Sequence, residues 1–217
     1  MEFKVKKGIA SMLCNTIRHV AMTQIKVLRP IAFKVNANSN VLTAEGISED
    51  MLQFTSNLIA LHFKLTKDAN LNDSIFVQEY SFDEVLTSRD LSSGKVICIE
   101  EDENRELLHC LPGFKGHLSI YYRYTNGNHK DKDNIFSLNS ELEATGVIDK
   151  PDDSYIFIAS NHNDIKKLNF TINENDIVHD KVNMSIETYT NIDEKEILKH
   201  SIQEIKDIVD GINRYIV

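Results

Sequence analysis

The sequence predicts an α+β fold in which a discontinuous module of sheet and helices is interrupted by a mostly-β insert. Three observations lead there. Amphipathic helical patterns stand near both ends of the chain, at 10–25 and from Asp193 onward. Short stretches of two-residue alternation, punctuated by turns, fill the middle. A polar, turn-rich passage with Asp68, Asn70, Asn72, Asp73 and Ser74 follows the second helix and marks a module boundary. With 217 residues the chain can bury a real core, enough for one large domain or two small ones.

Phe3 and Val5, followed by Gly8, predict a short first strand that turns directly into a helix. Across 10–25, Leu13, Ile17, Val20, Ala21 and Ile25 recur at three- and four-residue steps and form one stripe, leaving Asn15, Arg18, His19 and Gln24 on the other faces. After Pro30, Ile31, Phe33 and Val35 alternate with Ala32, Lys34 and Asn36 in the period of a half-buried strand. A second helix is expected to start at Ser48 as cap, with Ile47 and Leu52 as its hydrophobic staple and Met51, Leu52, Phe54, Leu58, Ile59 and Leu61 as its apolar face. Strands are predicted at 75–77, 96–99 and 117–124, with turns at Ser93-Gly94, Pro112-Gly113 and Asn126-Gly127. The polar segment 141–153, with Gly146 and Pro151, reads as the return to the first module. Two strands follow at 167–172 and 181–188, separated by an acidic turn over 173–180. The last helix opens on an Asp193–Glu196 capping box and an Ile192–Ile197 staple, and carries Leu198, Ile202, Ile205, Ile208, Val209, Ile212 and Ile216 as a continuous stripe.

Composition narrows the function classes. Charged residues at 26% and hydrophobic residues at 41% are ordinary for a globular protein and argue against wholesale disorder. A net charge of −9 disfavours nonspecific attraction to nucleic acid, which depends on Lys and Arg neutralising phosphates. No apolar run of about 18 residues exists to span a membrane, and the N-terminus lacks the apolar segment of a signal peptide. Cys14, Cys98 and Cys110 are few, odd in number and far apart, as expected of reduced thiols inside a cell. An intracellular location makes the sequons at Asn72, Asn169 and Asn183 chance matches.

Three ordered motifs carry a resemblance. Asn15-Thr16-Ile17-Arg18-His19-Val20 resembles the N-x-(L/I)-R-R-(I/V) helix of the α subunit of bacterial RNA polymerase and of its archaeal D and eukaryotic third-largest-subunit relatives. Asn38-Ser39-Asn40-Val41-Leu42 is similar to the N-x-S-V-L segment of the eukaryotic forms. Glu45-Gly46-Ile47-Ser48-Glu49-Asp50, with Asn57-Leu58, is similar to the bacterial EGV-x-ED…NL run. In the middle, Leu86-Thr87-Ser88-Arg89-Asp90-Leu91 is similar to the V-T-S-x-D-(L/I) segment, and Gly127-Asn128-His129-Lys130 loosely resembles a G-x-G-x-x-H-x-K loop. Near the end, Asn183-Met184-Ser185-Ile186-Glu187-Thr188 and Asp193-Glu194-Lys195-Glu196-Ile197-Leu198 are similar to the closing strand and helix start. The chain departs from the family at His19, which replaces the second Arg and cannot offer its permanently charged fork. The chain also has no Trp for the aromatic position the family places near the 127–130 loop, sets Asp131 and Asp133 beside it, and has Asn191 near the usual turn glycine.

The resemblance implies an RNA polymerase α-N-terminal-like dimerisation module over 1–66 plus 165–217, with the insert at 67–164. It implies a non-catalytic assembly platform of a multisubunit DNA-directed RNA polymerase. That platform would pair with an identical α-like copy or a small, insert-free partner like archaeal L or the eukaryotic eleventh subunit, and dock the two large catalytic subunits for transcription. Leu13, Ile17, Val20, Ile202, Ile205, Ile208 and Val209 would serve core and dimer interface; Asn15, Arg18, His19, Glu45 and Asp50 would face the large subunits. The stripes exceed what one side of a small sheet can cover, and at roughly 25 cal/mol per Å² an interface on the order of 2,000 Å² yields a gross hydrophobic term of tens of kcal/mol. Entropic costs remove much of that. No direct sequence-specific DNA contact is expected, since no linker and DNA-binding domain follow the last helix. The composition would suit a divergent polymerase, a viral one included, and leaves cytoplasm, nucleus, virion and viral factory open.

Other chemistries fare worse. Cys98, His109, Cys110 and His117 have zinc-ligand residue types, but their spacing fits no common zinc module. Glu100, Glu101, Asp102 and Glu103 read as a solvated loop rather than a cation site. With no cysteine quartet, glycine-rich phosphate loop or nucleophile motif, neither metal, cofactor nor enzymatic activity is expected of the isolated chain. The alternative from another class is a freestanding α+β dimeric adaptor that binds no polymerase.

Overall fold

A computed structural model describes residues 1–67, 69, 75–100, 104–126, 135–149, 154–158, 164–173, 177–190 and 192–214. The expected boundary residues Asp68, Asn70, Asn72, Asp73 and Ser74 lie outside these, as do Glu101, Asp102, Glu103, the loop 127–130, Asp131, Asp133, Pro151, Asn191 and Ile216. The fold is α+β. The described residues of Met1–Lys26, Asn126–Asn128 and His162–Val217 form one compact unit, and those of Val27–Thr125 and His129–Asn161 another.

In the first unit, β1 (Glu2–Lys6), β11 (His179–Thr188) and β10 (Ile165–Asn173) form an antiparallel sheet in the order β1-β11-β10. Exposed and buried residues alternate along β11, so Val182, Met184 and Ile186 face inward. Helices α1 (Ala10–Gln24) and α4 (Glu194–Asn213) cover that inner face. Ile17, Ala21 and Ile25 share one core with Leu168, Met184, Ile186 and Ile197. The tight entry into α1 needs Gly8, whose φ is +86° and whose N–H donates to the buried Asp180 Oδ2 at 2.9 Å.

The second unit is built on β2 (Lys26–Val35), β3 (His62–Leu65), β4 (Ile75–Phe82), β6 (Val96–Ile99) and β8 (Gly116–Asn126), in the order β4-β8-β2-β3-β6. The short β9 (Ile156–Phe157) also pairs with β2, and β5 (Val85–Thr87) pairs with β7 (Glu106–His109) as a separate ribbon. Helix α2 (Met51–Ala60) supplies Met51, Phe54 and Leu58 to a large core with Phe33, Phe63, Leu118, Ile120 and Tyr122. Phe33 and Phe54 meet edge-to-face at 4.9 Å. Helix α3 (Ile135–Ala144) supplies Leu138 and Leu142 to a second core with Ile31, Ala32 and Tyr121.

These contacts place the module boundary elsewhere than expected. Residues 27–66 belong to the second unit rather than joining 165–217, because Phe33, Val35, Phe54, Leu58 and Phe63 bury against β4 and β8 residues. β2 is buried on both faces rather than half-buried, and it runs through Pro30. The cap of α2 is Asp50, not Ser48: its Oδ1 accepts the Leu52 N–H at 2.6 Å. This shift turns Leu52 outward, half exposed, so Ile47 and Leu52 form no staple. The segment expected as a polar return from Glu141 contains the end of α3, held by Arg123 Nη2 donating to Glu141 Oε2 at 2.7 Å.

Candidate functional site

α4 begins where a side chain satisfies its first free N–H groups. Asp193 accepts the Lys195 N–H at 3.0 Å, and Ile192 and Ile197 join the same core on either side of that cap. Over the first turns the stripe faces inward: Ile197 and Ser201 are buried, while Leu198 and Ile205 pack at the edge of the core. Other apolar residues of the same helix are open to solvent. Ile202, Ile208, Val209 and Ile212 are 49%, 50%, 49% and 54% exposed.

The expected interface therefore divides. Ile17 and Val20 are buried within the chain, Leu13 and Ile205 are partly buried, and Ile202, Ile208 and Val209 are open. α1 adds two exposed apolar residues absent from the expected set, Met12 at 67% and Met22 at 44%. They sit off the apolar stripe, so periodicity alone does not flag them.

Among the expected large-subunit contacts, Asn15 and His19 are exposed on α1. Arg18 lies over the Phe170 ring at 5.3 Å from the centroid and reaches Asn15 Oδ1 at 3.4 Å, so part of its cationic face is spent inside the unit. Burial pushes the Cys14 thiol upward in pKa while the Arg18 guanidinium pulls it down; the net shift is upward.

Glu45 and Asp50 belong to the second unit, in a loop whose geometry the sequence explains. Asn40 Oδ1 accepts the N–H groups of Leu42 and Thr43 at 2.8 and 2.9 Å, closing a turn between Ser39 and Ala44. Val41 and Leu42 stand at its tip, 59% and 55% exposed. Glu45 Oε2 accepts from Asn38 Nδ2 at 2.6 Å, and Asp50 caps α2, so both also have structural duties. Between them Glu49 clasps β7: Oε2 accepts the His109 N–H at 2.7 Å, and Oε1 lies 2.5 Å from His109 Nδ1. Glu106 Oε2 is 3.1 Å from the other ring nitrogen. The hydrogen bond to Glu49 raises the His109 pKa. Burial works to raise that of Glu49, but the His109 N–H and ring outweigh it and the net shift is downward.

Neither the protein-family models nor the curated proteins contain a match to this chain. Among the described residues, no group of three or more His, Cys, Asp and Glu side chains is placed to hold a metal ion. His109 is engaged by glutamates and His117 Nδ1 lies 3.3 Å from Ser81 Oγ, while burial pushes the Cys98 thiol up to about 12. No helix among the described residues is long and apolar enough to cross a membrane.

Proposed function

We propose that the chain is a non-catalytic assembly-platform subunit of a multisubunit DNA-directed RNA polymerase, a divergent relative of the α, archaeal D and eukaryotic third-largest subunits. The observation that carries this reading is the row of exposed apolar residues Ile202, Ile208, Val209 and Ile212 on α4. A partner helix pair covers it, from an α-like copy or a small insert-free subunit. Packing of α1 and α4 on one face of the first unit's sheet supports the same reading, because it presents a helical surface for pairing. The two large subunits then dock through Asn15, Arg18 and His19 on α1 and through Glu45 and Asp50 in the second unit. Transcription chemistry belongs to those subunits.

Native mass spectrometry of the complex recovered with this chain from its source tests the proposal. Two large catalytic subunits at one copy each, with a small partner or a second copy of the chain, is the expected result. A lone dimer under gentle extraction would overturn it in favour of a freestanding adaptor.

A further inference from the structure

We propose that the loop 38–52 of the second unit, with the 111–114 turn bonded to it, docks a partner protein segment that carries lysines or arginines beside bulky apolar side chains. Val41, Leu42, Leu52, Leu111 and Phe114 are between 44% and 59% exposed. Among the described residues these are all the large apolar side chains exposed on the second unit, since the others belong to the first. Backbone hydrogen bonds gather them. Leu42 O accepts the Met51 N–H at 3.0 Å, which ties the loop tip to the start of α2 beside Leu52. Gly46 O accepts the Leu111 N–H at 2.8 Å, Ile47 bridges to Cys110, and the Phe114 ring lies against Gly46. A partner that covers these side chains gains roughly 25 cal/mol per Å² of apolar area removed from water.

The surrounding charge sets the chemistry of that partner. Residues 38–52 contain Glu45, Glu49 and Asp50 and neither Lys nor Arg. Beside them stand Asp83, Glu84, whose carbonyl accepts the Cys110 N–H at 2.7 Å, and Glu106. The neighbouring cations are fewer and engaged. Lys115 pairs with Asp83 at 3.2 Å, His109 lies between Glu49 and Glu106, His117 Nδ1 is 3.3 Å from Ser81 Oγ, and Lys34 Nζ sits 5.8 Å from the Tyr155 ring centroid. Glu45, Asp50 and Glu84 are exposed and form no ion pair among the described residues. A second copy of the chain would set these carboxylates against their own kind, and an anionic lipid surface or a nucleic acid is repelled on the same ground. A segment bearing lysines or arginines is attracted instead, and its apolar side chains cover the exposed five. The surface shares Glu45 and Asp50 with the large-subunit contact proposed above but does not rest on it, because none of the five apolar residues belongs to that contact.

The test is an NMR titration of the ¹⁵N-labelled full chain with an acetylated, amidated peptide made of Leu-Lys-Lys-Leu-Leu-Lys-Leu repeated twice. Saturable shifts over 40–52 and 109–115 are expected, with a Kd of about 10 μM. The same peptide with Glu in place of Lys, or with Ala in place of Leu, should bind at least about tenfold more weakly. The double variant Leu42→Ser, Leu111→Ser alters two exposed side chains, and its amide spectrum away from these segments verifies the fold; it should weaken binding about tenfold. Glu45→Gln with Glu84→Lys should weaken binding several-fold and flatten its dependence on salt. Absence of saturable shifts in these segments, or an affinity indifferent to the Leu42→Ser, Leu111→Ser change, would overturn the site. Equal binding of the Glu peptide, or an affinity unchanged by the two glutamate substitutions, would overturn the basic class. Self-association of the wild type, or its sedimentation with anionic vesicles, abolished by the same apolar double variant, would assign the surface to a second copy or to a membrane and overturn the proposal.

Discussion

Gly46 carries two constraints at once. Its φ is +75°, and an added Cβ would lie 2.5 Å from Phe114 Cδ1. Gly46→Ala is therefore expected to cost about 1–3 kcal/mol in urea unfolding, and Phe114→Ala should restore only part of that, because the backbone strain remains. His109 offers a second test at the same scale. Its pKa is raised above the usual 6.5 by Glu49, so the stability gained from the charged ring is full below 6.5 and is lost as pH rises through the raised value. Glu49 is lowered, so its share is full above the usual 4.5 and is lost as pH falls through the lowered value. The stability difference between wild type and His109→Gln should therefore be largest near pH 6 and shrink by pH 9; thermal melts at the two pH values check this. None of this pairing is visible in sequence order, since Glu49 and His109 are 60 positions apart. The glycine in Glu45-Gly46, by contrast, is legible as a motif residue, and the structure supplies its physical reason.

At the scale of elements, α4 shows two energetic regimes along one stripe. Ile197→Ala at the buried end should cost about 2–4 kcal/mol, whereas Ile208→Ala in the open row should change the isolated chain by no more than about 0.5 kcal/mol. Asp193→Ala removes the cap and should cost about 1 kcal/mol. Denaturant titrations of the three variants would reveal the gradient. α1 and α4 are legible from sequence because their apolar residues recur over four or more turns and because Asp193 is a strong cap. α3 is not, since among its described side chains the buried apolar residues are only Leu138 and Leu142, in a segment interleaved with Ser137, Asn139, Ser140, Glu141 and Glu143. β2 was legible as a strand from Ile31 onward. Its entry from Lys26 through Pro30, and its burial on both faces, depend on β3, β8, β9 and α3, which local alternation does not report. The α2 cap moved from Ser48 to Asp50 because both residue types cap well and the Asn40 turn positions the later one: Leu42 O accepts the Met51 N–H at 3.0 Å.

At the scale of the whole molecule, the chain pairs residues from its two ends into one unit and folds 27–66 into the other. The closing of the two ends was legible, because β1, α1 and α4 read as parts of a module needing cover. The allegiance of 27–66 was not, because it rests on long-range burial of Phe33, Phe54 and Phe63 against β4 and β8. The open half of α4 is what an assembly partner would cover, and it can be altered without touching the buried half. The decisive measurement is therefore the composition of the complex recovered with a tagged Ile208→Lys, Val209→Lys double variant, beside the tagged wild type, from the native source. Wild type should recover a small partner and two large subunits, and the folded double variant should lose them. Recovery of the same complex by both would contradict a partner interface on α4.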